Sequence, residues 1–148
     1  MNTIIIREMT HKDLDRIAEI ERRCFSVPWS RDAFEGELKN ELAYYQCAEA
    51  DGTIMGYMGM WKIIDECHIT NVAVLPEFRN QNIASMLIEK MVSICKCSEI
   101  SNMTLEVRES NIPAIRLYTK FGFFPVGKRP KYYHMPVEDA IIMWKKIV

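Results

Sequence analysis

The apolar positions of the chain follow two periods in turn. Ile4, Ile5 and Ile6 form a β-branched run ended by Arg7 and Glu8, which predicts a short strand. Thr10 can cap a helix with Asp13 in its first turn, and Leu14, Ile17, Ala18 and Ile20 recur near helical spacing until Cys24 and Phe25. Ser26-Val27-Pro28-Trp29 interrupts that pattern. Ser30 can cap a second helix reaching about Glu41, with Ala33, Phe34 and Leu38 on one side. Tyr44 to Ala48, Ile54 to Ile64 and Cys67 to Leu75 read as three strands, joined by a turn at Asp51-Gly52 and a reversal at Asp65-Glu66. Ile83 to about Cys95 is amphipathic at helical spacing, and Met103 to Val107 is a short buried strand. Pro113 suits the first turn of a helix that runs to Lys120 and ends at Gly122. Phe123 and Phe124 begin a further strand, and Ala140 to Trp144 is the last. The order β-α-α-β-β-β-α-β-α-β-β predicts an α/β (α+β) chain with a single mixed, mostly antiparallel central sheet flanked by helices.

A length of 148 residues fits one domain over 1–148, with enough chain for its own core. The net charge of −1 argues against a basic nucleic-acid-binding surface. That balance conceals an asymmetry: residues 1–74 carry 8 Lys/Arg and 13 Asp/Glu, and residues 75–148 carry 11 and 7. The second half is therefore the better place for a phosphate-bearing ligand. Five scattered cysteines, at 24, 47, 67, 95 and 97, have no C-x-x-C spacing and no pairing with His11, His68 or His134. Free buried thiols are expected, with no disulfide framework and no metal site. The first nine residues do not read as a signal peptide, and no apolar run reaches the ~20 residues needed to cross a bilayer. A cytoplasmic location and no membrane partner are the resulting expectations.

Two segments carry candidate chemistry. In Asn71-Val-Ala-Val-Leu-Pro-Glu-Phe-Arg-Asn-Gln-Asn-Ile-Ala-Ser85 a strand ends at a proline, a polar loop follows, and a helix begins. Backbone N–H groups at such a helix start lack intrahelical partners and can hold a pyrophosphate, although a plain connection reads equally well. In Leu105-Glu-Val-Arg-Glu-Ser-Asn-Ile-Pro-Ala-Ile-Arg-Leu-Tyr-Thr-Lys-Phe-Gly-Phe123, Glu106 lies inside an otherwise apolar strand. By alternation it points outward to solvent, the commoner reading for a lone strand glutamate. Tyr118, on the helix that follows, could equally be core.

Together these segments resemble the GNAT family, the GCN5-related N-acetyltransferases. Arg79-Asn-Gln-Asn-Ile-Ala84 is similar to the family's Arg/Gln-x-x-Gly-x-Gly/Ala pyrophosphate loop, and Asn111-x-x-Ala-x-x-Leu-Tyr-x-x-x-Gly-Phe123 to the second half of its acetyl-CoA site. The order of elements agrees along nearly the whole chain. A narrower resemblance is to the RimI branch, which acetylates the N-terminal α-amine of a ribosomal protein. It rests on Phe25-x-x-Pro-Trp-Ser30, Asn71-Val-Ala-Val74, Leu105-Glu-Val-Arg-Glu-Ser-Asn111 and Arg129-x-x-Tyr-Tyr-x-x-Pro-x-Glu-Asp-Ala-Ile-Ile-Met143. One departure stands out: Asn82 occupies a position where the family usually has glycine. Asparagine is the side-chain-bearing residue best suited to the left-handed region, so the loop can keep its shape, with weaker cofactor binding as a possible consequence.

The resemblance implies acetyl-CoA as cosubstrate and direct attack by an amine. Glu106 matches the family's general base, with burial between apolar neighbours expected to raise its pKa. Tyr118 matches the general acid that faces the CoA sulfur, by proton donation or by orientation alone. Val72, Ala73 and Val74 would offer backbone groups to the pantetheine arm, Asn111 would hydrogen-bond it or cap the helix, and Asn80, Gln81, Asn82, Ile83, Ala84 and Ser85 would bind phosphates beside Arg79. Tyr132, Tyr133, Glu138 and Asp139 would border the peptide entrance, where a carboxylate could attract the α-ammonium group. Trp29 reads as packing. The implied partner is the N-terminus of a protein, a small-subunit ribosomal protein with alanine first. The alternatives are a small amine or a lysine side chain as acceptor, or a module that binds acyl-CoA without turnover; retention of Glu106, Asn111 and Tyr118 argues against the last. The sequence does not give the oligomeric state.

Overall fold

The computed structural model describes residues 3–147. Among these residues the chain forms β1 (Ile5–Glu8), α1 (Leu14–Cys24), α2 (Arg31–Leu38), β2 (Ala43–Ala50), β3 (Thr53–Ile63) and β4 (Glu66–Val74). It continues through α3 (Ile83–Cys97), β5 (Asn102–Arg108), α4 (Ile112–Lys120), β6 (Phe124–Tyr133) and β7 (Glu138–Lys146). The strands make one seven-stranded sheet in the order β1-β2-β3-β4-β5-β7-β6. Its pairings are antiparallel except for β4 with β5. This is the mixed, mostly antiparallel sheet flanked by helices that the sequence predicts.

Several boundaries differ from the sequence reading for local reasons. Arg7 and Glu8 continue β1 rather than ending it, because Arg7 has partners: two bonds to Asp13 at 2.8 and 2.9 Å and one to Glu49 at 2.6 Å. Thr10 opens a 3-10 turn, with its N–H bonded to Asp13 Oδ2 at 2.7 Å, and α1 follows. α2 stops at Leu38, short of Glu41, where the Asn40 side chain accepts the Leu42 N–H at 3.0 Å and turns the chain. β6 and β7 form a longer hairpin than expected. β6 is a sheet edge, and Pro125 and Pro130 are tolerated there because an edge strand needs no donor on its outer side.

Each face of the sheet has its own core. α1 and α2 bring Leu14, Ile17, Ile20 and Phe34 against Tyr45, Cys47, Tyr57 and Ala73. Trp29 packs on Phe34 with ring centres 5.5 Å apart. α3 brings Ile83, Leu87, Ile88, Met91 and Cys95 against Met58, Met60, Ile69, Met103 and Leu105, and Tyr118 of α4 joins them. Each such side chain removed from water contributes roughly 1.5–3 kcal/mol. The cysteines are free; Cys47, Cys67 and Cys95 are buried, whereas Cys97 is exposed.

A bulge in β4 shapes everything beside it. Gly59 pairs with Asn71 and Met60 with Ile69, so Thr70 is an extra residue. The side-chain alternation reverses there: Cys67 and Ile69 face α3 before the bulge, and Val72 and Val74 face it afterwards. Asn71 and Ala73 are thereby turned into, or against, the opposite core. Tyr45 braces the bulge, its hydroxyl donating to Asn71 Oδ1 at 3.3 Å and lying 3.4 Å from Thr70 Oγ1. The Tyr45 ring crosses Gly59, where an added Cβ would sit 2.2 Å from a ring carbon. Gly59→Ala is therefore expected to displace Tyr45 and lower stability by roughly 1–3 kcal/mol, measured by urea unfolding. Ala at Gly36, where an added Cβ meets nothing within 4 Å, is the matched control.

Candidate active site

The parallel pairing of β4 with β5 covers three residue pairs, Glu66 with Asn102, Cys67 with Met103 and His68 with Thr104. Beyond His68 the two strands part, and β4 keeps only its β3 partner. The Leu75 N–H bonds to the Met55 carbonyl at 3.0 Å. Strand alternation then turns the peptide groups of Ala73 toward β3 and those of Val72 and Val74 toward the open side. The candidate backbone contacts thus narrow from three residues to two. At Val74 the carbonyl already accepts Arg79 Nε at 3.0 Å and lies 3.7 Å from Cys24 Sγ, which leaves its N–H as the free group.

Arg79 therefore folds back on the end of β4. The loop after it is held in shape by two left-handed residues, Asn80 (φ 65°) and Asn82 (φ 62°). Asn82 takes up the conformation that glycine would supply, and its carbonyl accepts the Met86 N–H at 3.0 Å to close the first turn of α3. The Asn82 side chain does not cap the helix. The N–H groups of Ile83, Ala84 and Ser85 start a 15-residue helix, whose N-terminal end carries partial positive charge. Ile83 is fixed in the core, while Asn80, Gln81 and Asn82 are exposed. An open strand edge with free peptide groups, followed by a helix N-terminus without a side-chain cap, fits an elongated ligand with an amide arm and a pyrophosphate.

Glu106 lies just past the last β4–β5 pair. Its neighbours Leu105 and Val107 enter the α3 core, so Glu106 takes the opposite face of β5. It does not reach open solvent: its side chain is only 8% exposed. His68 Nε2 lies 2.8 Å from Glu106 Oε1, the Tyr132 hydroxyl donates to the same oxygen at 3.4 Å, and Arg129 Nε lies 3.8 Å from Oε2. Burial pushes the carboxyl's pKa up. The hydrogen bond from His68, the electrostatic attraction of the His68 ring and of the Arg129 guanidinium, and the Tyr132 bond outweigh it and hold the pKa below the ordinary value. The rise expected from burial alone is corrected accordingly.

Tyr118 approaches from the other face. It packs in the α3 core against Phe123, ring centres 5.6 Å apart. Its hydroxyl has no hydrogen-bond partner among the described residues. Burial pushes its pKa up, so it stays protonated. Asn111 caps α4, its Oδ1 accepting the Ala114 N–H at 3.3 Å. Glu138 and Asp139 both accept hydrogen bonds from within the chain. Glu138 accepts from Arg108 at 3.2 Å and from the Ser110 N–H at 2.6 Å, and Asp139 accepts the Lys131 N–H at 2.9 Å.

The sequence reading missed His68 as a partner of Glu106. The two lie 38 residues apart on strands whose parallel register no local pattern announces. Among the described residues no group of three or more His, Cys, Asp or Glu side chains is placed to hold a metal ion.

Residues 14–123 match the model of the Acetyltransferase (GNAT) family, and the chain belongs to that family of acetyl-CoA-dependent transferases. A Bacillus subtilis (strain 168) protein named putative ribosomal protein bS18-alanine N-acetyltransferase is 43% identical over 143 residues, 96% of this chain and 95% of its own length. The Escherichia coli (strain K12) protein named ribosomal protein bS18-alanine N-acetyltransferase is 32% identical over 97% of this chain and 96% of its own. The crystal structure of the ribosomal-protein-S18-alanine N-acetyltransferase from Escherichia coli matches with a TM-score of 0.91 at 29% identity, covering 98% of this chain and 94% of that one.

The left-handed geometry at Asn82 is directly testable. Asn82→Gly is expected to change stability by less than about 0.5 kcal/mol and to retain or tighten CoA binding. Asn82→Val forces a β-branched residue into that region, with an expected cost of about 1–2 kcal/mol and weaker CoA binding. Urea unfolding and CoA titration calorimetry read the two effects separately.

Proposed function

We propose that the chain transfers the acetyl group of acetyl-CoA to the N-terminal α-amine of a protein, with an alanine-initiated small-subunit ribosomal protein as acceptor. The named relatives supply the acceptor class. The observation that carries the chemistry is the Glu106–His68 bond, which stands where β4 and β5 part.

Val72 and Val74 are proposed to bind the pantetheine amides as an added strand would, and the start of α3 to bind the pyrophosphate, flanked by Arg79 and the left-handed loop. Asn111 Nδ2 remains available to the same arm while Oδ1 caps α4. The acceptor amine arrives from the Glu106 face. An α-ammonium group has a reference pKa of ~8 and must lose its proton before it can attack. A carboxylate held below its ordinary range is a poor acceptor for that proton on its own. The pair is better suited: with Nε2–H donated to Glu106, the other ring nitrogen of His68 carries a lone pair, and the carboxylate stabilises the imidazolium that forms. The proton passes to this pair directly or through one water. The neutral amine attacks the thioester carbonyl, and the tetrahedral intermediate collapses with cleavage of the C–S bond. Tyr118, kept protonated by burial, donates to the departing sulfur, and the second proton shed by the acylated nitrogen returns through solvent to restore the phenol.

Thiol release from acetyl-CoA tests the reading, with a lysine-free peptide beginning in alanine and its N-blocked twin. Release with the free peptide alone is expected. Equal release with an N-blocked lysine peptide would transfer the assignment to side-chain acetylation. Glu106→Gln is expected to lower kcat by roughly 10²–10⁴-fold with little change in acetyl-CoA affinity, as for loss of a general base.

The same substitution has a signature in stability. Because the Glu106 pKa is depressed in the folded chain, its ionised form stabilises the fold above the ordinary carboxyl pKa. That contribution disappears as pH falls through the folded value. Glu106→Gln should be less stable than the parent at pH 7, and the difference should shrink in urea titrations below about pH 4.

A further inference from the structure

Arg108 lies two residues beyond Glu106 on the same face of β5, and its guanidinium meets the β6–β7 turn and the two residues that flank it, Tyr133 and Glu138. Nη1 donates to the Pro136 carbonyl at 3.0 Å and to Glu138 Oε1 at 3.2 Å, and Nη2 donates to the His134 carbonyl at 3.1 Å. Its Cζ stands 4.4 Å from the centre of the Tyr133 ring. The carbonyl between those two, of Met135, accepts Ser26 Oγ of the α1–α2 loop at 2.7 Å. Three successive carbonyls of one turn are thus held by side chains from other elements. Glu138 extends the network, because its second oxygen accepts the Ser110 N–H at 2.6 Å, next to the Asn111 cap of α4.

This arrangement needs the shape of the guanidinium as well as its charge. A planar fork serves two carbonyls and a carboxylate while stacking on an aromatic ring; an ammonium group cannot do all of these together. It also explains why Glu-Val-Arg-Glu-Ser-Asn and Tyr-Tyr-x-x-Pro-x-Glu-Asp occur in one chain: they are the two halves of a single clamp. The turn follows the end of β6, where the Tyr132 hydroxyl reaches Glu106, and it touches the α1–α2 loop through Ser26.

We infer that Arg108 is a positioning residue for acyl transfer: it fixes the β6–β7 turn against β5, so that Tyr132, Tyr133 and the Ser26 loop form a set wall beside Glu106 on the acceptor side. Glu138 serves the clamp and does not capture the acceptor's ammonium group. This rests on the reading that the acceptor amine approaches Glu106.

The test uses the full chain with Arg108→Ala and Arg108→Lys. Initial rates are measured against the alanine peptide at saturating acetyl-CoA and against acetyl-CoA at saturating peptide. Amide hydrogen exchange of residues 132–138 is followed in parallel. Arg108→Ala is expected to raise the peptide KM by about tenfold or more, with the acetyl-CoA KM within about twofold. Exchange in the turn should accelerate by about tenfold while β2, β3 and α3 keep their protection. Arg108→Lys should not restore the peptide KM. Unchanged exchange in the turn overturns the clamp, as does a peptide KM equal to that of the parent. A common rise of both KM values with faster exchange throughout the sheet assigns Arg108 to stability alone and also overturns it. Full rescue by lysine overturns the requirement for the fork. If the parent acetylates no peptide, the acceptor reading fails, and the exchange measurement still decides whether Arg108 holds the turn.

Discussion

The parting of β4 from β5 is the constraint on which the site depends, and its local companion is the extra residue at Thr70. A regular β4 would continue its ladder with β5 and close the sheet. The bulge instead adds twist and reverses which side chains face which core. Tyr45 sustains it from the neighbouring strand, and it can do so only because Gly59 leaves room for the ring. Where the strands part, Val72 and the Val74 N–H are left without a ladder partner, and His68 and Glu106 meet just past the last shared pair; the alternation of β5 sets the groups proposed as base and acid on its opposite faces.

Electrostatics complete what the backbone begins. Glu106 is buried deeply enough that an isolated carboxylate would drift toward neutrality. His68, Arg129 and Tyr132 prevent that and keep it ionised. The result is an anchored negative charge beside an imidazole, which is more useful for moving a proton at neutral pH than a carboxyl group tuned alone. Tyr118 presents the converse case. Its surroundings are apolar, so its phenol holds its proton more tightly than usual. In the proposed reaction, these two groups with opposed environments, on either side of one strand, would separate proton removal from proton delivery.

Much of this was legible in the sequence. Periodicity gave the order of elements and the sheet class, and the Arg79–Ser85 and Leu105–Phe123 segments supplied the candidate cosubstrate residues. Asn82 was foreseen in the left-handed region, which its φ of 62° bears out. Three features were not legible. The bulge at Thr70 leaves no mark in hydropathy, because Ile69 and Val72 are apolar on either reading. His68 becomes a partner of Glu106 only through parallel register, which depends on how far the strands stay paired. The long β6–β7 hairpin was obscured by Pro125 and Pro130, residues that argue against a strand until the strand is known to be an edge.

These features divide the molecule by the kind of constraint it imposes. The proposed cosubstrate side is built mostly from main chain: an open strand edge, two left-handed asparagines and the start of a helix. Such a site recognises amides and phosphates common to every acyl-CoA and is nearly indifferent to the side chains around it. The proposed acceptor side is built from side chains on separate elements, with Glu106 and His68 on the sheet, Ser26 on the α1–α2 loop and the turn held by Arg108. Substitutions there can redirect the choice of amine without touching the main-chain cradle. On this reading the chain would keep its acyl donor fixed while its acceptor is set by a few contacts at one turn and one loop.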